Sequence, residues 1–72
     1  MPELRKISGK EAIKALERLG FQQIRQRGSH VILKKSSSTG DIGCVVPLHR
    51  ELKIGTLRGI LKLAKIEPEE FL

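Results

Sequence analysis

The sequence predicts an α+β fold, a three-stranded antiparallel meander with two helices packed on one of its faces, and three observations predict it. Apolar residues recur at spacings of three and four in two stretches, Ala12, Ile13, Leu16 and Leu19, then Leu57, Ile60, Leu61 and Ala64, which is the signature of amphipathic helices. Between them lie runs rich in β-branched residues, separated by Gly and Ser, as strands and turns require. A chain of 72 residues has room for one small core, so residues 1–72 are expected to form a single domain.

Residues 1–7 read as a short lead-in. Ser8 followed by Glu11 has the form of a capping box and starts the first helix, and Gly20 supplies its stop. Residues 21–27, Phe-Gln-Gln-Ile-Arg-Gln-Arg, form a strand with one solvated face. Gly28-Ser29 turns the chain into a second strand, His30 to Lys35. If Val31 and Leu33 face the helices, the twofold period of a strand puts His30, Ile32 and Lys34 on the open face. Ser36 to Asp41 is expected to be a polar loop before a third strand, Ile42 to Pro47, which the proline ends. Leu48 to Ile54 is a charged connection, with Thr56 as the expected cap of the second helix. Residues 67–72 read as one more helical turn opened by Pro68, with Phe71 and Leu72 folding back onto the body.

Composition bounds the function. Fourteen Lys and Arg against eight Asp and Glu leave a formal charge of +6 and a pI near 10.0, which in so small a body points to a polyanionic partner. The excess lies on the body, because residues 67–72 hold three acids and no base. Phe21 and Phe71 are the only aromatic residues, so the core is aliphatic and a stacking platform for several bases is hard to build, which implies loose sequence preference. One cysteine and two histidines permit no internal disulfide and no recognisable metal spacing, and Cys44, opening Cys-Val-Val, reads as a small core residue. No metal and no cofactor is expected. No apolar run approaches the ~18 residues of a membrane span, and Met1-Pro2-Glu3-Leu4 does not resemble a signal peptide, so a cytoplasmic location is expected and no membrane partner.

The stretch Arg27-Gly28-Ser29-His30 concentrates the chemistry. Histidine is the side chain whose ordinary pKa lets it move a proton near neutral pH, and it stands here just past a turn. Gly28 supplies turn geometry, and Ser29 either bonds locally or touches substrate. Arg25, Arg27 and Lys34 are the cations expected nearest His30, suited to grip phosphate. From the residues alone, a lone histidine beside a turn is more often solvated or hydrogen-bonded than catalytic. His49 is a second imidazole that would suit a general acid, ranked below His30 because its loop reads more simply as a solvated connection.

Five short motifs then combine: Ile7-Ser8-Gly9-Lys10-Glu11, Leu19-Gly20-Phe21, Arg25-Gln26-Arg27-Gly28-Ser29-His30, Val46-Pro47-Leu48-His49, and Glu51-Leu52-Lys53-Ile54-Gly55-Thr56-Leu57 with Ile60-Leu61. In this order and spacing the chain resembles the HicA (YcfA-like) toxin family, from about residue 4 onward. The resemblance implies a fold like the double-stranded-RNA-binding domain, metal-independent cleavage of mRNA that arrests translation, and a HicB-type antitoxin as protein partner. It also implies that the histidine of Gly-Ser-His, here His30, is the functional residue, which reverses the ranking drawn from the residues alone. For such chemistry the substrate's 2′-hydroxyl is the nucleophile, His30 the general base, and the arginines steady the phosphorane. The alternative is a non-catalytic RNA- or DNA-binding module that uses the same basic sheet face.

Overall fold

Ser8 opens the first helix by satisfying backbone donors that a helix start leaves unpaired. Its hydroxyl accepts from the Glu11 N–H and the Glu11 carboxylate accepts from the Ser8 N–H, each at 3.1 Å. These bonds, first the one from the Ser8 backbone, hold the Glu11 carboxyl below its ordinary pKa. The computed structural model describes residues 4–71; Leu72 and Met1 to Glu3 lie outside the described residues. Helix α1 spans Gly9–Arg18. It ends as Gly20 takes a φ of 101° while Gly20 N–H donates to Glu17 and Phe21 N–H to Leu16, the paired closing bonds of a Schellman motif.

Strands β1 (Gln22–Arg27), β2 (His30–Ser37) and β3 (Gly40–Pro47) form an antiparallel sheet in the order β1-β2-β3. Helix α2 spans Ile54–Ala64 and a last turn, α3, spans Pro68–Phe71. The core lies between one sheet face and the helices. Val31, Leu33, Cys44 and Val46 face Ala12, Leu16, Leu57, Ile60 and Leu61, all nearly inaccessible to solvent, and Phe71 closes over them. His30 and Lys34 are exposed and Ile32 is half-buried on the other face, as the parity of β2 requires.

Four local expectations change. The expected loop over residues 36–41 contracts to a turn at Ser38-Thr39, because β2 runs to Ser37 and β3 starts at Gly40. Ser37 stabilises the tip through hydroxyl contacts with Thr39 and Gly40. Polar composition there reflects solvation beyond the helices rather than a break in pairing. Thr56 is not a cap: α2 starts at Ile54 with Lys53 at the N-cap, whose side chain makes no capping bond. Tertiary anchoring replaces the missing cap, for fully buried Leu52 donates its N–H to the Ile7 carbonyl at 2.7 Å. Both faces of β1 are exposed, not one, because α1 does not extend over this edge strand. Finally, β1 is irregular. The partners are Gln23↔Leu33 and then Arg25↔Ile32, so Ile24 is an extra residue in a β-bulge.

Two outcomes follow from the packing. Burial pushes the Cys44 thiol up to about 11. The folded state therefore favours the protonated thiol, giving stability that is complete below the unfolded value near 9 and is lost as pH rises towards 11. A thiol reagent at pH 8 should leave Cys44 unmodified until denaturant is added. Lys65 closes α2 at a φ of 57°, a left-handed conformation that costs a side chain about 1–2 kcal/mol. Lys65→Gly should raise stability by about 0.5–1 kcal/mol in urea unfolding, the gain being partly offset by unfolded-state entropy.

Candidate active site

The corner between β1 and β2 is built by two residues, Gly28 and Ser29, between the paired residues Arg27 and His30. Gly28 has a φ of 57° and no positive φ occurs at Ser29, which matches a type II′ hairpin turn, the kind that follows the twist of the strands. Both corner carbonyls are occupied. Gln26 Nε2 donates to the Gly28 oxygen at 3.0 Å, and Leu48 N–H donates to the Ser29 oxygen at 2.6 Å. The backbone that presents His30 is thus held from β1 on one side and from the end of β3 on the other.

Pairing decides what stands beside His30. Arg27 is its direct partner on β1 and Pro47 its partner on β3, with Cα atoms about 5 Å apart in such pairs. Arg25 pairs with Ile32, two residues along, and so shares the open face. Lys34 shares that face too, between Gln22 and Gly43, but four residues along a strand set it ~13 Å from His30. The structure brings Arg27 and Arg25 to the histidine and leaves Lys34 at the far end of the face. Lys35 belongs to the other face, with its ammonium 5.9 Å from the centre of the Phe21 ring.

The bulge at Ile24 is what puts the arginines there. In a regular strand Phe21, Gln23, Arg25 and Arg27 would all point the same way. Phe21 is buried, and Gln23 pairs with Leu33 on the core side, so without an extra residue both arginines would point at the helices. Sequence reasoning missed this element. Its signal was present in the conflict between an apolar Phe21 and charged Arg25 and Arg27 at one parity, which a strand resolves by gaining a residue. The same face carries Ile32, Val45 and, at the bulge, Ile24, which is 55% exposed.

His49 is exposed, and its backbone is tied to the same region. Its carbonyl accepts from the Gly9 N–H at 2.9 Å, one residue after Leu48 bonds Ser29. Gly9 is required at this crossing, because a Cβ there would collide with the Pro47 carbonyl oxygen. Lys6 and Glu51 form an exposed pair at 3.4 Å next to the crossing, an interaction worth about 0–1 kcal/mol. Among the described residues no group of three or more His, Cys, Asp or Glu is arranged to hold a metal ion, and no helix is long and apolar enough to cross a membrane.

A meander with both main helices on one face, in the order α-β-β-β-α, is the layout of the double-stranded-RNA-binding-domain-like fold. Within that class the chain matches the family model for the HicA toxin of bacterial toxin–antitoxin systems over residues 9–66, and it belongs to the HicA toxin family. Membership makes it the toxin of such a pair, and implies a HicB-type antitoxin as the other member. A search of curated proteins finds no match.

The crossing at Gly9 generates a test. Gly9→Ala forces α1 away from the end of β3, and overpacking of this kind costs about 1–3 kcal/mol. The substitution should lower the urea midpoint and speed hydrogen exchange at the Leu48 amide, which reports the loss of the strap on Ser29.

Proposed function

We propose that this toxin is an endoribonuclease that cuts mRNA and thereby arrests translation, with His30 as the general base. The observation that carries the reading is the placement of an exposed imidazole at the head of β2, directly across from Arg27 and on one face with Arg25. In this reading the neutral imidazole takes the proton of a ribose 2′-hydroxyl. The freed oxygen attacks the adjacent phosphorus, the bond to the 5′-oxygen breaks, and the products are a 2′,3′-cyclic phosphate and a 5′-hydroxyl. The guanidiniums of Arg27 and Arg25 balance charge that grows on the phosphorane oxygens, where fixed donors contribute most. A proton must reach the departing 5′-oxygen, and His49, on the segment strapped to the corner, is the candidate donor.

The remaining residues take supporting roles. Gly28 shapes the turn, Ser29 holds the strap through its carbonyl and offers a hydroxyl at the corner, and Lys34 meets a phosphate further along the strand of RNA. Ile32 and Val45 give the face an apolar floor on which a ribose or base can rest. The HicB-type antitoxin silences the toxin by covering this basic face and His30.

Expression of wild type and His30→Ala in a bacterium tests the reading. Growth arrest and loss of intact mRNA are expected with the wild type alone. Equal behaviour of the two, with salt-sensitive RNA binding retained, would favour a non-catalytic binding module. His49→Ala should lower turnover more than affinity. Arg27→Ala should weaken RNA binding similarly for different sequences and reduce the slope of log affinity against log salt by about one phosphate contact.

A further inference from the structure

On the opposite side of β1 from His30, the strand and α1 diverge to leave an open groove of about 290 Å³. Its floor is apolar, made by Ile13, Val31 and Leu48, and Lys10 and Lys14 stand one helical turn apart on its rim. The strand side is lined by two amides, Gln23 and Gln26, which the pairing Gln23↔Leu33 and Gln26↔Val31 places on the helix-facing side of β1. Gln23 takes no part in the machinery described for His30, whereas Gln26 also braces its turn through the Gly28 carbonyl.

The orientation of both amides follows from chemistry. Gln26 contacts the Gly28 carbonyl at 3.0 Å, and Gln23 contacts the Glu17 carboxylate at 3.5 Å. Carbonyl and carboxylate oxygens only accept, so each glutamine turns its NH₂ group to them. Each Oε1 is then left as an acceptor with no protein partner among the described residues. The groove therefore offers two amide acceptors over an apolar floor, with the ammonium groups of Lys10 and Lys14 and the carboxylate of Glu17 at the rim. Its volume lies just below the ~300–1,000 Å³ usual for small-ligand sites, a size for one nucleotide.

The groove also adjoins the corner along the β1–β2 pairing. The pair Gln26–Val31 is the next one along from Arg27–His30, and Gly28 presents no side chain between them, with open space where a Cβ would be. An RNA strand with a phosphate at His30 would round this turn to reach the groove on the opposite face of the sheet. We propose that the groove between α1 and β1 is a base-selecting subsite. It seats the nucleotide next to the bond that is cut, with its phosphate near Lys10 and Lys14. The two glutamine acceptors favour bases with an exocyclic amino group, adenine, cytosine and guanine, which supply the missing donors, over uracil, which has none. The inference rests on the ribonuclease reading of the corner, and it replaces the expectation of loose sequence preference with discrimination at one position.

The test uses the full chain carrying His30→Ala, titrated separately with AMP, CMP and UMP and followed by NMR. Shifts are expected at the side-chain amides of Gln23 and Gln26 and the methyls of Ile13, Val31 and Leu48, with AMP and CMP bound about three- to tenfold tighter than UMP, the range one or two hydrogen bonds supply. In that background Gln23→Met with Gln26→Met should erase the preference without changing the circular dichroism spectrum. Lys14→Met should weaken all three nucleotides alike. Cleavage of a randomised RNA by the chain with native His30 should show U depleted at one position beside the cut, a bias lost when both glutamines are replaced. Equal affinities for the three nucleotides, or shifts elsewhere, would overturn the subsite. So would shifts in the groove with the antitoxin but with no nucleotide, which would assign it to the protein partner. If RNA is cut with a preference that survives loss of both glutamines, the subsite falls and the ribonuclease reading stands. If the nucleotides discriminate as expected but RNA is not cut, the subsite stands and the ribonuclease reading falls.

Discussion

The structure depends on one crossing, where the start of α1 lies against the end of β3. Gly9 donates its N–H to the His49 carbonyl, and the two backbones are so close that no side chain fits at Gly9. Three other features are referred to this point. Leu48 N–H holds Ser29 in the hairpin corner, Leu52 N–H holds the lead-in through Ile7, and the buried Leu52 side chain fixes where α2 can begin. A small body has few buried contacts with which to hold its connections. Backbone hydrogen bonds between connections do that here, and they bring both histidines to one end of the sheet.

The second constraint is the bulge, which separates the two faces of β1. Before Ile24 the strand shares the parity of the buried Phe21, and after it Arg25 and Arg27 share the parity of His30. One extra residue therefore converts an edge strand that would have pushed guanidiniums towards the helices into one that arms the open face. The same slip sends Gln26 to the opposite side, beside Val31. The two sides of β1 thus differ in kind, with fixed positive charge on the one that holds His30 and neutral amides over an apolar floor on the other. Charge suits phosphate whatever the sequence, whereas oriented amides can distinguish bases. An edge strand with a bulge and arginines is also a poor template for pairing with other chains.

Much of the fold was legible in local chemistry. Ser8 and Glu11 form the capping box that their spacing announces, Gly20 ends α1, Gly28 takes the positive φ that a tight hairpin needs, and Cys44, Val31 and Leu33 are buried. In each case the residue type and its near neighbours suffice, because capping, turn geometry and periodic burial act over a few residues. Where contacts reach further, the reading failed. Thr56 had the right chemistry for a cap, but the anchoring of Leu52 under Ile7 started the helix at Ile54. Ser36, Ser37 and Asp41 had the composition of a loop, but pairing across β2 and β3 kept all but two residues of that stretch in strands.

The site divides along the same line. His30, its glycine turn and the basic character of its surroundings could be read from the sequence, since a histidine after Gly-Ser and a net charge of +6 need no partner to be seen. That Arg27 and Arg25 lie beside His30 while Lys34 stands apart, that Leu48 is strapped to the corner and His49 to Gly9, and that two glutamines line a groove between α1 and β1 were decided by tertiary structure alone. The reason is physical. Composition and spacing determine which groups the chain possesses, but strand register, a single bulge and the crossing at Gly9 determine which of them meet.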